Sequence, residues 1–269
     1  MIDFFIQLFN YEFMQHALIA GTLAAIIAGM VGYFAIIRHL AFAAHALGHI
    51  GFAGASGALL IGVTPLTGQF VLTLVAALGM GALGEKISKS DMAIGIVLSF
   101  CLGLGTLFLY LYHGFAGQAS VILFGNLLGV SNHDLQLMLW LTGISLFILG
   151  LITRPLFFAS IEPELAAAKG ISLFWIGILF IILMAMAVTL ASQVVGVILV
   201  FTLLVGPAAI AVQWTHRFWS GITLSTVLAL LIVWVGIIFS YYTDWPISFW
   251  ISLLTFGLYL ISSIYKRYH

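Results

Sequence analysis

The chain contains very little charge. Only 6% of its 269 residues are Asp, Glu, Lys or Arg, whereas soluble domains are typically about 25% charged. Hydrophobic residues make up 64% of the chain and the mean hydropathy is +1.25. This composition excludes a water-soluble globular domain, because the polar surface would be too small to cover the core. The formal net charge is zero, so it gives no reason to expect a nucleic acid as partner.

The chain also has few cysteines and no sequence of the common phosphate-binding loop. Cys101 is the one cysteine, which excludes an internal disulfide. No segment matches G-x-x-x-x-G-K-[ST], the loop that holds phosphates in many ATP-binding proteins. Any energy from ATP must therefore reach this chain through another subunit, and we do not expect the chain to be an enzyme.

Long apolar runs divide the chain into candidate membrane spans. A helix needs about 20 mostly apolar residues to cross the hydrocarbon layer. We predict an all-α transmembrane bundle that forms a single domain over residues 1–269. The count is nine spans, or eight if one kinked segment replaces two around "ASQVVG" at 191–196. The predicted spans are 16–37, 42–62, 68–84, 92–112, 134–153, 172–192, 194–213, 219–240 and 247–265.

The basic residues predict the orientation of the bundle. Lys and Arg are typical of cytoplasmic loops, and here they fall in five places with no basic residue in the intervening loops. If all five groups lie on the cytoplasmic side, the N-terminus lies outside and the C-terminus lies in the cytoplasm. Termini on opposite sides need an odd number of spans, which favours nine over eight. The five groups are Arg38; Lys86 and Lys89; Arg154 and Lys169; Arg217; and Lys266 and Arg267.

Two histidines lie within the second apolar run. His45 and His49 follow Arg38 by 7 and 11 residues, which places them roughly 10–16 Å into the membrane. Their spacing of four puts both rings on one helix face, continued by Phe52 and Ser56. The adjacent face is a strip of small residues that we expect to pack closely against other helices. That strip comprises Ala44, Gly48, Gly51, Ala55 and Ala58.

This histidine pair predicts a metal site. Two imidazoles one turn apart can bind one divalent ion, and ionisable residues inside a membrane are usually functional. One alternative is that each ring only donates a hydrogen bond to a neighbouring helix. An intramembrane protease is a poor fit, because the glutamate of H-E-x-x-H is absent between the histidines. Two ligands suit a carrier, which must release its ion, and further ligands would come from other helices or a second copy.

The segment "SIEPELAAAKGIS" predicts a short helix on the inner side, over about 161–170. Pro163 suits an early helical position, Glu164 the first turn and Gly170 the C-terminal stop. A helix of this length cannot cross the membrane. It is either an ordinary connector or a docking helix for a cytoplasmic partner.

Three further residues are candidates for the outer mouth of a pathway. Asp244 lies in an outer loop before Pro246, where it is either a helix cap or a site of attraction for cations. His113 and His133 flank another outer loop and are candidates for guiding a metal ion.

Several blocks, in order along nearly the whole chain, resemble the permease subunits of ATP-binding-cassette importers for zinc, manganese and related divalent metals. "RHLAFAAHALGHIGFAGA" is similar to the family's basic turn followed by a D-A-L-S-H-type helix. "SIEPELAAAKGIS" resembles its D-P-E-x-A-x-x-x-G-I coupling helix. "QVVGVILVFTLLVGPAAIA" resembles its V-V-G-x-L-L-V-x-A-L-L-x-x-P-A-A-x-A segment. "LFGNLLGVSNHDL" and "YYTDWPIS" match two further blocks.

The resemblance implies a pair of permeases, most simply two identical chains, in the bacterial inner membrane. It also implies a cytoplasmic ATP-binding-cassette ATPase, docked on a helix containing Glu162, Pro163, Glu164, Ala167 and Gly170. A metal-binding protein would deliver the ion from outside, and no permanently bound cofactor is expected. His45 stands where the family has an aspartate and His49 where it has histidine, a change that favours zinc over manganese.

Two other classes of function remain open from the sequence. A secondary or proton-coupled metal transporter would use the same two rings without an ATPase. A membrane protein of another kind would bury the histidines in satisfied hydrogen bonds and would show no response to metal.

Overall fold

The computed structural model describes residues 11–82, 91–113, 117–125, 127–215 and 217–268, so Lys86 and Lys89 of the predicted inner groups lie outside the described residues. All regular structure in these ranges is helical, which confirms the predicted all-α bundle. The α-helices are α1 (Glu12–Ile37), α2 (Ala41–Leu60), α3 (Pro65–Ala82), α4 (Asp91–Leu111), α5 (Gly117–Phe124), α6 (Asn132–Ile161), α7 (Pro163–Ala168), α8 (Leu173–Trp214), α9 (Phe218–Thr243) and α10 (Ile247–Tyr268), with a 3₁₀ turn at Leu127–Gly129.

Seven of these helices are long and apolar enough to cross a membrane, namely α1, α3, α4, α6, α8, α9 and α10. Helix α2 spans 20 residues and is less apolar, because its two histidines and four glycines lower its hydropathy. It is nevertheless almost wholly enclosed by α3, α4 and α8. Helix α2 is thus largely buried despite its two histidines.

Helix α8 doubles back on itself at Gly196, whose φ of 76° and ψ of 166° interrupt the helix. On one side of the break Phe180 packs against Phe34 of α1, and on the other the backbone of Leu204 lies against Gly32. The 24 residues between Phe180 and Leu204 would extend about 36 Å in a straight helix. The two halves of α8 must therefore lie side by side, so the junction at 191–196 is a chain reversal.

Buried hydrogen bonds join α8 to α3, and they fix the relative direction of these helices. Gln69 Nε2 donates to Ser192 Oγ at 2.5 Å, and the hydroxyls of Thr73 and Thr189 are 3.1 Å apart. All four side chains are buried. Because rising numbers in α3 pair with falling numbers in α8, the first half of α8 runs antiparallel to α3.

The basic side chains that the structure describes gather at one end of the bundle. The rings of Phe157 and Phe218 lie 3.8 Å apart and join the last part of α6 to the start of α9. At this end Arg38 reaches Ser160 and Trp214 stacks on Tyr265. The described basic residues at this end are Arg38, Arg154, Lys169, Arg217 and Lys266.

Two predicted boundaries were wrong. Helix α6 continues through Pro155 to Ile161, eight residues past the predicted end of the span at 153. The prediction stopped early because a rule based on membrane thickness detects only the apolar part of a helix. Helix α5 lies in the stretch 113–133 that was predicted to be a loop. Its eight residues are too few for a span, so the same rule could not detect it.

Candidate metal site and coupling helix

His45 and His49 lie side by side in the first half of α2. Their ring centroids are 4.6 Å apart and the ring planes are nearly perpendicular, at 86°. Both side chains are partly exposed in the single chain. The spacing of four residues along a helix thus brings the two imidazoles into direct contact, as the sequence predicts.

The strip of small residues on α2 packs against neighbouring helices. Ala44, Gly48, Gly51, Ala55 and Ala58 are all buried. A Cβ added at Gly48 would lie 2.6 Å from Cγ1 of Val200 in α8. One added at Gly51 would lie 2.9 Å from Gln69 and Thr73 of α3. The absence of side chains here lets α3 and α8 approach α2 closely and fixes the direction in which the histidines point.

The second half of α8 supplies the wall next to the pair. The Phe201 ring lies edge-on to His45, with centroids 5.4 Å apart, and 37% of Phe201 is exposed. One turn beyond His49, Phe52 packs with Ile122 and Val197 in a small buried cluster. The contact with Phe201 could not be read from the sequence, because the two residues lie 156 positions apart.

Ser56 continues the histidine face beyond Phe52. It is fully buried, and its hydroxyl has no hydrogen-bond partner among the described residues. A buried hydroxyl without a partner is costly in an apolar environment. This hydroxyl is therefore an unsatisfied polar group on the same face as the two imidazoles.

The distance between the two rings can be compared with that of two imidazoles on one metal ion. Two imidazoles bound to one zinc ion at about 2.0–2.1 Å in a tetrahedral site have ring centroids roughly 5.2 Å apart, so the observed 4.6 Å is a little closer than that geometry requires. No group of three or more His, Cys, Asp or Glu side chains forms anywhere in the part of the chain that the structure describes. Within the described residues, the two imidazoles are thus brought together without a third ligand of these types.

A short helix, α7, lies where the sequence predicts one, but it covers only Pro163–Ala168 and not the predicted 161–170. Pro163 occupies its first turn, the helix ends at Ala168, and Gly170 adopts a φ of +80°. Glu162, Pro163, Glu164, Ala167 and Gly170 are all exposed, whereas Ala166 is fully buried. Lys169 Nζ lies 4.9 Å from the centre of the Phe158 ring and holds the end of α7 against α6. The helix thus exposes one face at the basic end of the bundle.

The three candidates for the outer mouth lie apart from one another. His113 follows α4 and is exposed. His133 is exposed beside Asp134, with its Nδ1 3.9 Å from a carboxylate oxygen. Asp244 ends α9 with a φ of 56° and borders a cavity of about 460 Å³ with Gly125 and Pro246. Among the described residues, no contact joins the three into a single site.

A cavity of about 190 Å³ lies on the packing side of α2, and no pattern in the sequence predicts it. Gln69, Asp134, Ser192 and Gln193 supply its polar lining. These residues come from three helices, and their separation in sequence gives no signal that they meet. The cavity borders Ala55 on the strip of small residues and not the histidine face.

An all-helical bundle in which seven helices are long and apolar enough to cross a membrane defines the described part of the chain as a polytopic membrane protein. Residues 10–266 match the ABC 3 transport family, and the chain belongs to that family. This finding confirms the resemblance to permeases of ATP-binding-cassette importers. The chain is a transport subunit and a multi-pass protein of the bacterial inner membrane.

Individual relatives match over nearly their whole length. The manganese transport system membrane protein MntC of Halalkalibacterium halodurans is 34% identical over 90% of this chain and 83% of its own. The chelated iron transport system membrane protein YfeD of Yersinia pestis is 26% identical over 96% and 87%. The solved structure of PsaBC from Streptococcus pneumoniae in complex with Fab superposes with a TM-score of 0.86, at 30% identity over 97% and 95%.

Proposed function

We propose that two copies of this chain form the membrane path of an ATP-driven importer, which carries a divalent transition-metal ion inward past His45 and His49. The single observation that carries this proposal is the contact between the two rings inside α2, at 4.6 Å. Membership of the ABC 3 transport family supports transport as the function. The names of MntC and YfeD, which refer to manganese and iron, support a metal as the cargo.

The nature of the ligands bears on which metal is carried. Nitrogen donors bind iron(II) more tightly than manganese(II). Zinc(II) also binds imidazole well. A pair of imidazoles therefore favours zinc and iron over manganese. We propose zinc(II) as the ion that binds this pair most tightly, followed by iron(II) and then manganese(II), although the relatives are named for manganese and iron.

A second copy would complete the site. The histidines are partly exposed beside Phe201, itself 37% exposed, in the single chain. A second chain placed over this face would add two imidazoles and give the four ligands of a tetrahedral site. The histidine face is partly exposed, and one chain supplies only two imidazoles. Both observations support a homodimer with the ion at its centre.

The position of the basic residues supports an arrangement of nine spans. Helix α8 counts as two antiparallel spans because it doubles back at Gly196, and α2 counts as one. With the basic end of the bundle in the cytoplasm, residue 11 lies near the outer surface and Lys266 near the inner one. The exposed face of α7 then points to the cytoplasm, where it would dock on the ATPase, and an external metal-binding protein would meet the opposite end.

Uptake by the reconstituted complex tests the proposal. Proteoliposomes would contain the permease and its ATPase, with the external metal-binding protein added and zinc(II), iron(II) or manganese(II) as radioactive cargo. We expect accumulation that requires ATP and stops when the ATPase cannot hydrolyse it. Uptake that continues without ATP and follows an imposed pH gradient would instead support a secondary transporter, and no uptake of any of the three ions would contradict the proposal.

A further inference from the structure

Arg38 lies where three helices meet at the basic end of the bundle. It is the residue that ends α1. Its Nη1 donates to Ser160 Oγ of α6 at 3.3 Å, and its guanidinium carbon lies 5.6 Å from the centre of the Phe180 ring in α8. A guanidinium over an aromatic face in a desolvated setting is a favourable contact. The side chain thus holds α6 and α8 to the end of α1.

A tight turn connects Arg38 to the histidine helix. The backbone N–H of His39 donates to Ile36 O, and that of Leu40 donates to Ala35 O at 2.8 Å. Leu40 is buried, and its carbonyl accepts the first hydrogen bond of α2, from Ala44. Three residues thus separate α1 from α2, so a displacement of Arg38 must also move the start of the helix that bears His45.

On its other side Arg38 contacts the base of the coupling helix. Ser160 lies two residues before Glu162, the only residue between α6 and α7. The N–H of Glu162 donates to Phe158 O, and its carbonyl accepts from Ala166. The Lys169 ammonium over the Phe158 ring also ties α7 to the last turn of α6. Helix α7 is therefore tied directly to the last turn of α6, which contains Ser160.

We propose that Arg38 is a positioning residue that transmits movement of the coupling helix α7 to the histidine helix α2. The inference rests on the proposed function, since it assumes that an ATPase moves α7. When the ATPase displaces α7 and the end of α6, the contact between Ser160 and Arg38 draws the turn at 38–40 with it. The histidine pair then changes its orientation, and binding of the ion is coupled to the state of the ATPase.

The ratio of metal ions imported to ATP hydrolysed tests this role. The wild-type complex would be compared with Arg38→Gln, Arg38→Lys and Ser160→Ala in proteoliposomes, with the metal that the wild type carries. Arg154→Gln is the matched control, because Arg154 is an exposed arginine on the same helix as Ser160. A variant that merely folds less well lowers both activities together and leaves the ratio unchanged.

We expect Arg38→Gln to lower the ratio about tenfold or more while the ATPase remains bound and active. Ser160→Ala should lower it by a smaller factor, and Arg38→Lys should restore part of it because a cation remains over Phe180. An unchanged ratio in Arg38→Gln, beside a wild-type complex that imports metal, would overturn this inference alone. A wild-type complex that imports no metal would overturn the proposed function and this inference with it.

Discussion

Gly196 of α8 packs directly against the backbone carbonyl of Leu123 in α5. A Cβ added at Gly196 would overlap that oxygen, and the φ of +76° with a ψ of 166° lies in a region open essentially only to glycine. Gly125, two residues after Leu123, has a φ of +78° and lies against the same turn, since a Cβ added there would be 2.7 Å from Gly196 N and from Val194 O. The reversal of α8 therefore depends on the close approach of two backbones.

Replacement of Gly196 should unfold this part of the bundle. We expect Gly196→Ala to lower the free energy of unfolding by more than about 3 kcal/mol, because backbone strain adds to the overlap. Gly170→Ala is the control, since Gly170 also has a positive φ but an added Cβ would meet nothing within 4 Å. It should cost about 1–3 kcal/mol. Thermal unfolding in detergent, followed by tryptophan fluorescence, measures both, and equal losses would contradict the assigned contact.

The close approach of α1 to the second half of α8 gives a second prediction. A Cβ at Gly32 would overlap the carbonyl oxygen of Leu204, so we expect Gly32→Ala to destabilise the protein by about 1–3 kcal/mol. Gly177→Ala meets no atom within 4 Å and should stabilise α8 by about 0.5–1 kcal/mol. If Gly32→Ala were as stable as Gly177→Ala, the two halves of α8 would not lie side by side as described.

The sequence predicted those features that depend on composition and local spacing. Apolar runs locate most of the long helices, the spacing of His45 and His49 predicts their contact, and Pro163 and Gly170 delimit the short helix α7. The remaining features arise from tertiary packing. Nothing in the sequence indicates that Phe201 lies against His45 or that Arg38 reaches Ser160, because these pairs are 156 and 122 residues apart. Under the proposed function, any further metal ligand that a second chain supplies would escape sequence reasoning for the same reason.

The exposed face of α7 should control binding of the ATPase. Leu165 is 45% exposed on this helix although it is apolar, which suits insertion into a partner. We expect Leu165→Asp to weaken association with the ATPase at least about tenfold, because a carboxylate would have to be desolvated at the contact. The exposed Arg217 at the start of α9 provides the control Arg217→Gln. Binding in detergent by light scattering or interferometry measures the change, and wild-type affinity in Leu165→Asp would exclude α7 as the docking helix.

The residue at position 45 should set the preference among metals. His45→Asp replaces an imidazole with a carboxylate, a harder ligand that suits manganese(II) better. We expect the ratio of manganese to zinc uptake to rise about tenfold in this variant. Phe201→Leu, which changes the wall beside His45 but adds no ligand, is the control and should leave the ratio near that of the wild type. An unaltered ratio in His45→Asp would show that position 45 does not contact the cargo.

The most direct measurement compares ATP-dependent metal uptake by the wild-type complex with that of the double variant His45→Ala/His49→Ala. His39→Asn is the matched control, because His39 is an exposed histidine with a φ of 57°, which asparagine tolerates. We predict that the double variant loses at least about nine-tenths of uptake for every metal tested, with ATPase binding retained, and that His39→Asn transports normally. Undiminished uptake in the double variant would contradict the claim that the ion binds these two rings on its way through the permease.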